Sequence, residues 1–292
     1  MADGKCGLHV WRVADENPSR LVRDDELAVK LNAKPFVGVA ASEEILFGFD
    51  ERSAWQWSPR GWTSLGTAQA PSRCRAFAVV QNQPFAVCGN GVFSFGTGQY
   101  FEPPRNPIFI DSVDDRLGDN VVLAAHDNLV PVGTGFGEWG GFFFVLNTST
   151  GRWSKTQDEV SNAVWVVWWQ NQWAVAWSMS HLGFAHTRIR LHATDALPAK
   201  EGQQLDSMYV RALAVDARTH SLWAVEQESL TQVDEKMLSL DSRQESVVAV
   251  PYGAERLAVG VSSGVAGFIS IGQSQLVVMS NEGELQLIPL RL

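Results

Sequence analysis

CRAFAVVQNQPFAVCGNGVFSF, residues 74–95, decides the fold. Three apolar runs are separated first by Gln81-Asn82-Gln83 and then by Gly89-Asn90-Gly91. Short polar or glycine turns between runs of strand length predict two tight hairpins in succession. The same order of run, turn, run, turn and run recurs on both sides of this stretch. It begins at Phe36 (FVGVAASEEILFGFDERSAWQW), at Asn120 (NVVLAAHDNLVPVGTGFGEWGGFFFVL) and at Asn162 (NAVWVVWWQNQWAVAWSM, continued by TRIRLHAT). It begins again at Arg211 (RALAVDARTHSLWAVEQESLTQV) and at Gly264 (GVAGFISIGQSQLVVMSNEGELQLIPL). Six copies are readable.

Many of the runs, such as AVWVVWWQ, are apolar on both faces, the pattern of strands packed between neighbouring sheets. A period of roughly 40 to 50 residues with about four short strands is that of propeller blades, and helical repeats would need apolar spacings of three and four. The outer strand is visible as GWTSLG at Gly61, YFEPPR at Tyr100 and GRWSKTQ at Gly151. Pro103 and Pro104 suit a sheet edge. The reading is all-β: one β-propeller domain over residues 1–292, with six four-stranded blades. A seventh stays open, because the segment between the fifth and sixth copies holds more strand-like material than one outer strand needs. The sixth copy runs out of chain after its third strand. Leu8 to Val13 is therefore expected to pair with the last blade and close the ring.

The segment from Trp62 to Gly89, with an outer-strand Trp, a Pro-Ser-Arg linker, a strand, a turn and a strand ending near glycine, resembles a kelch repeat. FFFVLNTSTGRW, from Phe142 to Trp153, is similar, with an aromatic and then a Trp on the last two strands. Where kelch repeats carry a glycine doublet after the second strand, Cys88-Gly89 and Thr134-Gly135 stand instead. The resemblance implies propeller architecture and a tendency toward protein binding, and carries over no functional residue.

Composition narrows the function. The net charge of −9 argues against nucleic-acid binding, which needs clustered Lys and Arg, and favours a basic partner. The three cysteines, Cys6, Cys74 and Cys88, suggest neither a disulfide framework nor a zinc site. Cys74 and Cys88 read as buried apolar residues, and a reducing compartment fits. No secretion signal or membrane span is apparent, so the expected location is cytoplasmic.

No catalytic constellation stands out, and no metal or cofactor is expected. His181, His186 and His192 lie close in sequence, but extended strand geometry puts His186 and His192 about 20 Å apart, which favours exposed hairpin histidines. His9, His126 and His220 fall on different repeats. Gly133-Thr134-Gly135-Phe136-Gly137 lacks the helix and the Lys-Ser or Lys-Thr of a phosphate loop, and reads as a flexible hairpin. Asp111, Asp114, Asp115 and Asp119 miss the spacing of a calcium loop. The five tryptophans of the fourth copy alternate sides, Trp165 and Trp169 toward one neighbour and Trp168 toward the other, as blade packing requires.

Charge is unevenly sorted. In a propeller the second turns and the outer-to-inner linkers share one face, and the first and third turns share the other. The first set holds Asp111, Asp114, Asp115, Asp119, Glu138, Trp139, Asp158 and Glu159, and also Asp50 and Glu51. The second is mainly neutral. The expectation is a noncatalytic adaptor, or a dedicated inhibitor or immunity-type partner, that docks a basic protein on the acidic face, with Trp139 as an anchor inside the charged rim. The alternatives are a lectin binding sugar between blades through Trp, and an enzyme with its site at the central channel mouth.

Overall fold

The computed structural model describes residues 2–3, 7–8, 11–14, 17–23, 25–26, 29, 36, 38–41, 45–69, 73–104, 120–137, 140–158, 161–181, 184–193, 204–207, 212–215, 222–225, 229–233, 247–249, 268–271, 275–279 and 285–289. Among the described residues five four-stranded antiparallel sheets follow one another, each built from strands consecutive in sequence. The first comprises Gly38–Ala41, Leu46–Phe49, Ser53–Ser58 and Gly61–Thr67, and the second Cys74–Val80, Gln83–Cys88, Gly91–Ser94 and Tyr100–Phe101. The third comprises Asn120–Leu123, Leu129–Gly135, Gly141–Asn147 and Arg152–Asp158, and the fourth Asn162–Trp169, Gln172–His181, Phe184–Ala193 and Gln204–Ser207. The fifth is Ala212–Val215, Leu222–Val225, Ser229–Val233 and Val247–Ala249, and a three-stranded sheet follows at Phe268–Ile271, Gln275–Met279 and Leu285–Pro289. The first strand of each sheet lies beside the first strand of the next. Among the described residues no helix is long and apolar enough to cross a membrane.

The turns form for local reasons. Gln81 and Asn82 have φ of 46° and 62°, and Gln170 and Asn171 repeat this at 47° and 60°. Left-handed conformation at both central residues is the two-residue turn whose twist matches the strands it joins, and Asn tolerates it better than most side chains.

The apolar-on-both-sides strands are sandwiched. Phe142, Phe144 and Leu146 pack toward Val87, Val92 and Phe101 of the second sheet, whereas Phe143 and Val145, one residue out of phase, pack toward Trp173, Val175 and Trp177 of the fourth. All three phenylalanines are buried, each contributing about 2–3 kcal/mol relative to exposure. Trp169, with Trp165 partly buried beside it, packs toward Leu213 and Leu222 of the fifth sheet, and Trp168 packs on the opposite side, as alternation predicts.

The expected closure by Leu8 to Val13 takes in residues outside the described ones; of the described residues there, Trp11–Ala14 pairs with Asn17–Arg23, and Gly7–Leu8 with Ala2–Asp3. It is Asn17–Arg23 that comes alongside Leu285–Pro289 of the last sheet. Cys74 and Cys88 are indeed buried but are joined in a disulfide, with Cα atoms 4.0 Å apart. The physical reason is a β-bulge. Pairing runs in step from Val80↔Gln83 to Phe77↔Ala86, then slips, so that Arg75 opposes Val87 and Cys74 opposes Cys88. Counting outward from the turn without the bulge puts Arg75 opposite Cys88, which conceals the pair.

Candidate docking face

Hydrogen bonds corroborate the sorting of turns at three places. At the first sheet's second turn, Ala68 N–H donates to the Arg52 carbonyl (2.7 Å) and Cys74 N–H to the Glu51 carbonyl (2.6 Å), tying that turn to the linker entering the second sheet. At the third sheet, the second turn (residues 136–140) meets Asn162, the first residue after the next linker. On the opposite face the first turn meets the third: Thr148 N–H and Oγ1 both donate to the Asn128 carbonyl, at 2.8 and 3.0 Å, and Asn128 Nδ2 reaches Asn147 Oδ1 (3.4 Å) and Ser149 Oγ (3.3 Å).

Asp111, Asp114, Asp115, Asp119, Glu138, Trp139 and Glu159 lie outside the described residues. Asp158 ends the outer strand of the third sheet opposite Gly141, which brings its backbone to the foot of the Glu138-Trp139 loop. The described residues on either side of Glu138 and Trp139 are held in place. Phe136 N–H donates both to the Gly140 carbonyl (2.9 Å), closing the loop's neck, and to Asn162 Oδ1 (2.8 Å). Asn162 Nδ2 donates to the Gly137 carbonyl (2.8 Å) and, more weakly, to the Ser178 carbonyl (3.4 Å). Gly137 and Gly140 flank the tip with φ of 66° and 75°, backbone that glycine adopts without strain.

Asn162 was not evident in the sequence as a functional residue. An Asn directly after a linker and facing a glycine-rich turn is the available signal, because its amide can serve a carbonyl and an N–H at once. The glycine run itself is mostly strand and not a flexible turn. Gly133 packs where a Cβ would lie 2.7 Å from Val122 and 2.8 Å from Ala163, and Gly135 where it would lie 2.8 Å from Asn162.

Two acidic members of the face are engaged locally. Asp50 Oδ1 accepts from Arg52 N–H (2.8 Å) and Ser53 N–H (2.6 Å), and Oδ2 from Trp55 Nε1 (3.2 Å), so this carboxylate builds its own turn. Glu51 pairs with Arg73 at 3.0 Å on an exposed surface, a bond worth little stability but one that offsets its charge.

The histidines divide. His192 is buried, not exposed as expected, because it lies opposite Trp173 with its ring 5.0 Å from that of Phe143. Trp177 Nε1 donates to His192 Nε2 at 3.3 Å, so the proton of the neutral ring sits on Nδ1; among the described residues neither Nδ1 nor Trp173 Nε1 has a hydrogen-bond partner. Burial, with the Arg190 charge second, lowers the His192 pKa to about 4. His126 stacks on Trp168 with ring centroids 4.1 Å apart, and Trp165 Nε1 donates to the Leu213 carbonyl of the fifth sheet at 2.8 Å. These tryptophan contacts lie between neighbouring sheets.

No family model and no curated protein matches the sequence. Solved structures do. The chain superposes on the WD40 repeats of RRP9 with a TM-score of 0.59 at 12% identity, over 99% of this chain and 90% of that one. On U3-55K the values are 0.57, 12%, 99% and 90%, and on Sqt1 of Saccharomyces cerevisiae 0.58, 13%, 100% and 80%. At these identities the likeness is one of fold, and the chain has β-propeller architecture. The likeness supports a propeller in general and not kelch in particular.

Proposed function

We propose that this chain is a noncatalytic propeller that docks a basic protein on its acidic loop face, as an adaptor or as a dedicated inhibitor. The observation that carries the reading is the pair of hydrogen bonds by which Asn162 holds Phe136 and Gly137, the residues that lead into Glu138 and Trp139 in the sequence. An acidic and aromatic tip on a rigid stem loses little conformational freedom on binding, and the surrounding carboxylates would steer a basic surface toward it. Propellers present loop faces built from several blades, and surfaces on such faces suit protein recognition. We further read the sheets as six blades, with the ring closed where Asn17–Arg23 meets the last of them.

The test is a pull-down from the source cell at low and high salt, comparing the native protein with Asp111→Lys, Asp114→Lys, Asp115→Lys and Glu138→Lys combined. The expected result is a basic protein retained at low salt, weakened at high salt and lost with the charge-reversed variant. If every recovered partner binds the variant as well as the native protein, the acidic face is not the docking surface.

A further inference from the structure

We propose that the Cys74–Cys88 bond is a redox latch: oxidised, it holds residues 74–76 to the second sheet beneath the loop face, and reduced, it lets them come away. Three observations on this strand end converge. Ala76, the bulged residue, sits at φ 51°, a left-handed conformation that alanine disfavours. The strand end therefore has an intrinsic tendency to leave the bulge. The regular ladder that would relieve it puts Arg75 opposite Cys88, in a position that Cys74 now fills at 4% exposure within the buried cluster that holds Phe49, Phe77 and Phe93. A guanidinium there would be desolvated. Slipping is thus blocked, and detachment is what remains once the covalent tie is gone. The tie also anchors what lies above it, because Cys74 N–H bonds the Glu51 carbonyl and neighbouring Arg73 pairs with the Glu51 carboxylate. Release of residues 74–76 frees the turn at Asp50 to Ser53 from the second sheet.

The chemistry is a two-electron exchange. The two thiols lose two protons and two electrons as the Sγ–Sγ bond forms, and the electrons pass to a small-molecule or protein disulfide, which is cleaved to two thiols. A dithiol reverses the step. With both cysteines buried, exchange proceeds through local opening. This inference is independent of what the loop face binds.

The full chain is refolded in a glutathione redox buffer, its thiols are counted by alkylation after denaturation, and amide exchange is followed with and without a dithiol. One alkylatable thiol, Cys6, is expected in the oxidised protein and three after reduction. The Cys74 amide should exchange at least tenfold faster on reduction, as it should in the Cys74→Ala, Cys88→Ala protein, while Phe77 to Val80 stay protected. Ala76→Gly should restore protection in the reduced chain by relieving the bulge. Three free thiols in the refolded protein, or a Cys74 amide that exchanges at one rate in both states, overturns the latch.

Discussion

Replacing Asn162 with alanine tests whether the candidate loop is braced from the neighbouring sheet. The substitution removes three hydrogen bonds. Two are short, at 2.8 Å to Phe136 N–H and 2.8 Å to the Gly137 carbonyl, and the third, to the Ser178 carbonyl, is 3.4 Å and near the limit of a useful bond. A neutral intramolecular bond contributes about 0.5–1.5 kcal/mol net, so the two short ones together give about 1–3 kcal/mol. The lower half of that range is favoured for two reasons. Phe136 N–H keeps its bond to the Gly140 carbonyl, and Gly137 is exposed, so water replaces the lost donor without a desolvation penalty. Alanine also retains the Cβ against which Gly135 packs, and no cavity opens. The expected loss is about 1–1.5 kcal/mol, or roughly 1.5–2.5 °C in Tm for a chain of this size. Calorimetry reads the total, and amide exchange at residues 136–141 should show the loosening concentrated there. Asn162→Asp separates the two ends of the side chain, keeping the acceptor for Phe136 and setting a carboxylate against the Gly137 carbonyl. It should cost at least as much as alanine. An Asn162→Ala protein with unchanged Tm and unchanged exchange at Phe136 would refute the brace, and with it the claim that the loop is presented from a fixed base.

Other outcomes follow from the same structure. Because the folded-state pKa of His192 lies below its unfolded value, the unfolded chain binds the extra proton between pH 6.5 and about 4, so stability falls as pH drops through that window and levels off below it. The full span is about 3 kcal/mol, and His192→Gln should flatten it in urea titrations across that range. Gly133→Ala forces a methyl against Val122 and Ala163 and should destabilise by about 1–3 kcal/mol, seen as a lower urea midpoint with unchanged m-value. Ala76→Gly in the oxidised protein should raise stability by roughly 0.5–1 kcal/mol, read from the same titration, because glycine fits the left-handed bulge.

The repeat was legible because its physics is local. The starts read at Phe36, Cys74, Asn120, Asn162, Arg211 and Gly264 fall within a few residues of the first strands at Gly38, Cys74, Asn120, Asn162, Ala212 and Phe268. Apolar runs and turn residues encode strands and hairpins without reference to the rest of the chain. What escaped depended on geometry that sequence spacing does not carry. The disulfide hinges on one extra residue at Ala76. His192 reads as a polar residue near a hairpin, yet its burial is set by Phe143, on the neighbouring sheet. Asp50 was counted as surface charge, although the Asp-Glu-Arg-Ser order is also that of a side chain capping its own turn. That Asn17–Arg23 comes alongside the last sheet is likewise a matter of tertiary contact, which a strand-like run of sequence does not carry.

The consecutive strand order within every sheet has a consequence for how the chain assembles on the ribosome. Within a sheet each strand after the first bonds to the one synthesised just before it, so a sheet can form as soon as its own few dozen residues have emerged. The growing chain can add one sheet to the last in a single direction, covering each apolar face soon after it is made. The approach of Asn17–Arg23 to Leu285–Pro289 joins segments far apart in sequence and must wait until the last of these sheets has emerged. Asn17–Arg23 therefore waits for that partner while the intervening sheets form, and is a segment on which a holding chaperone would act.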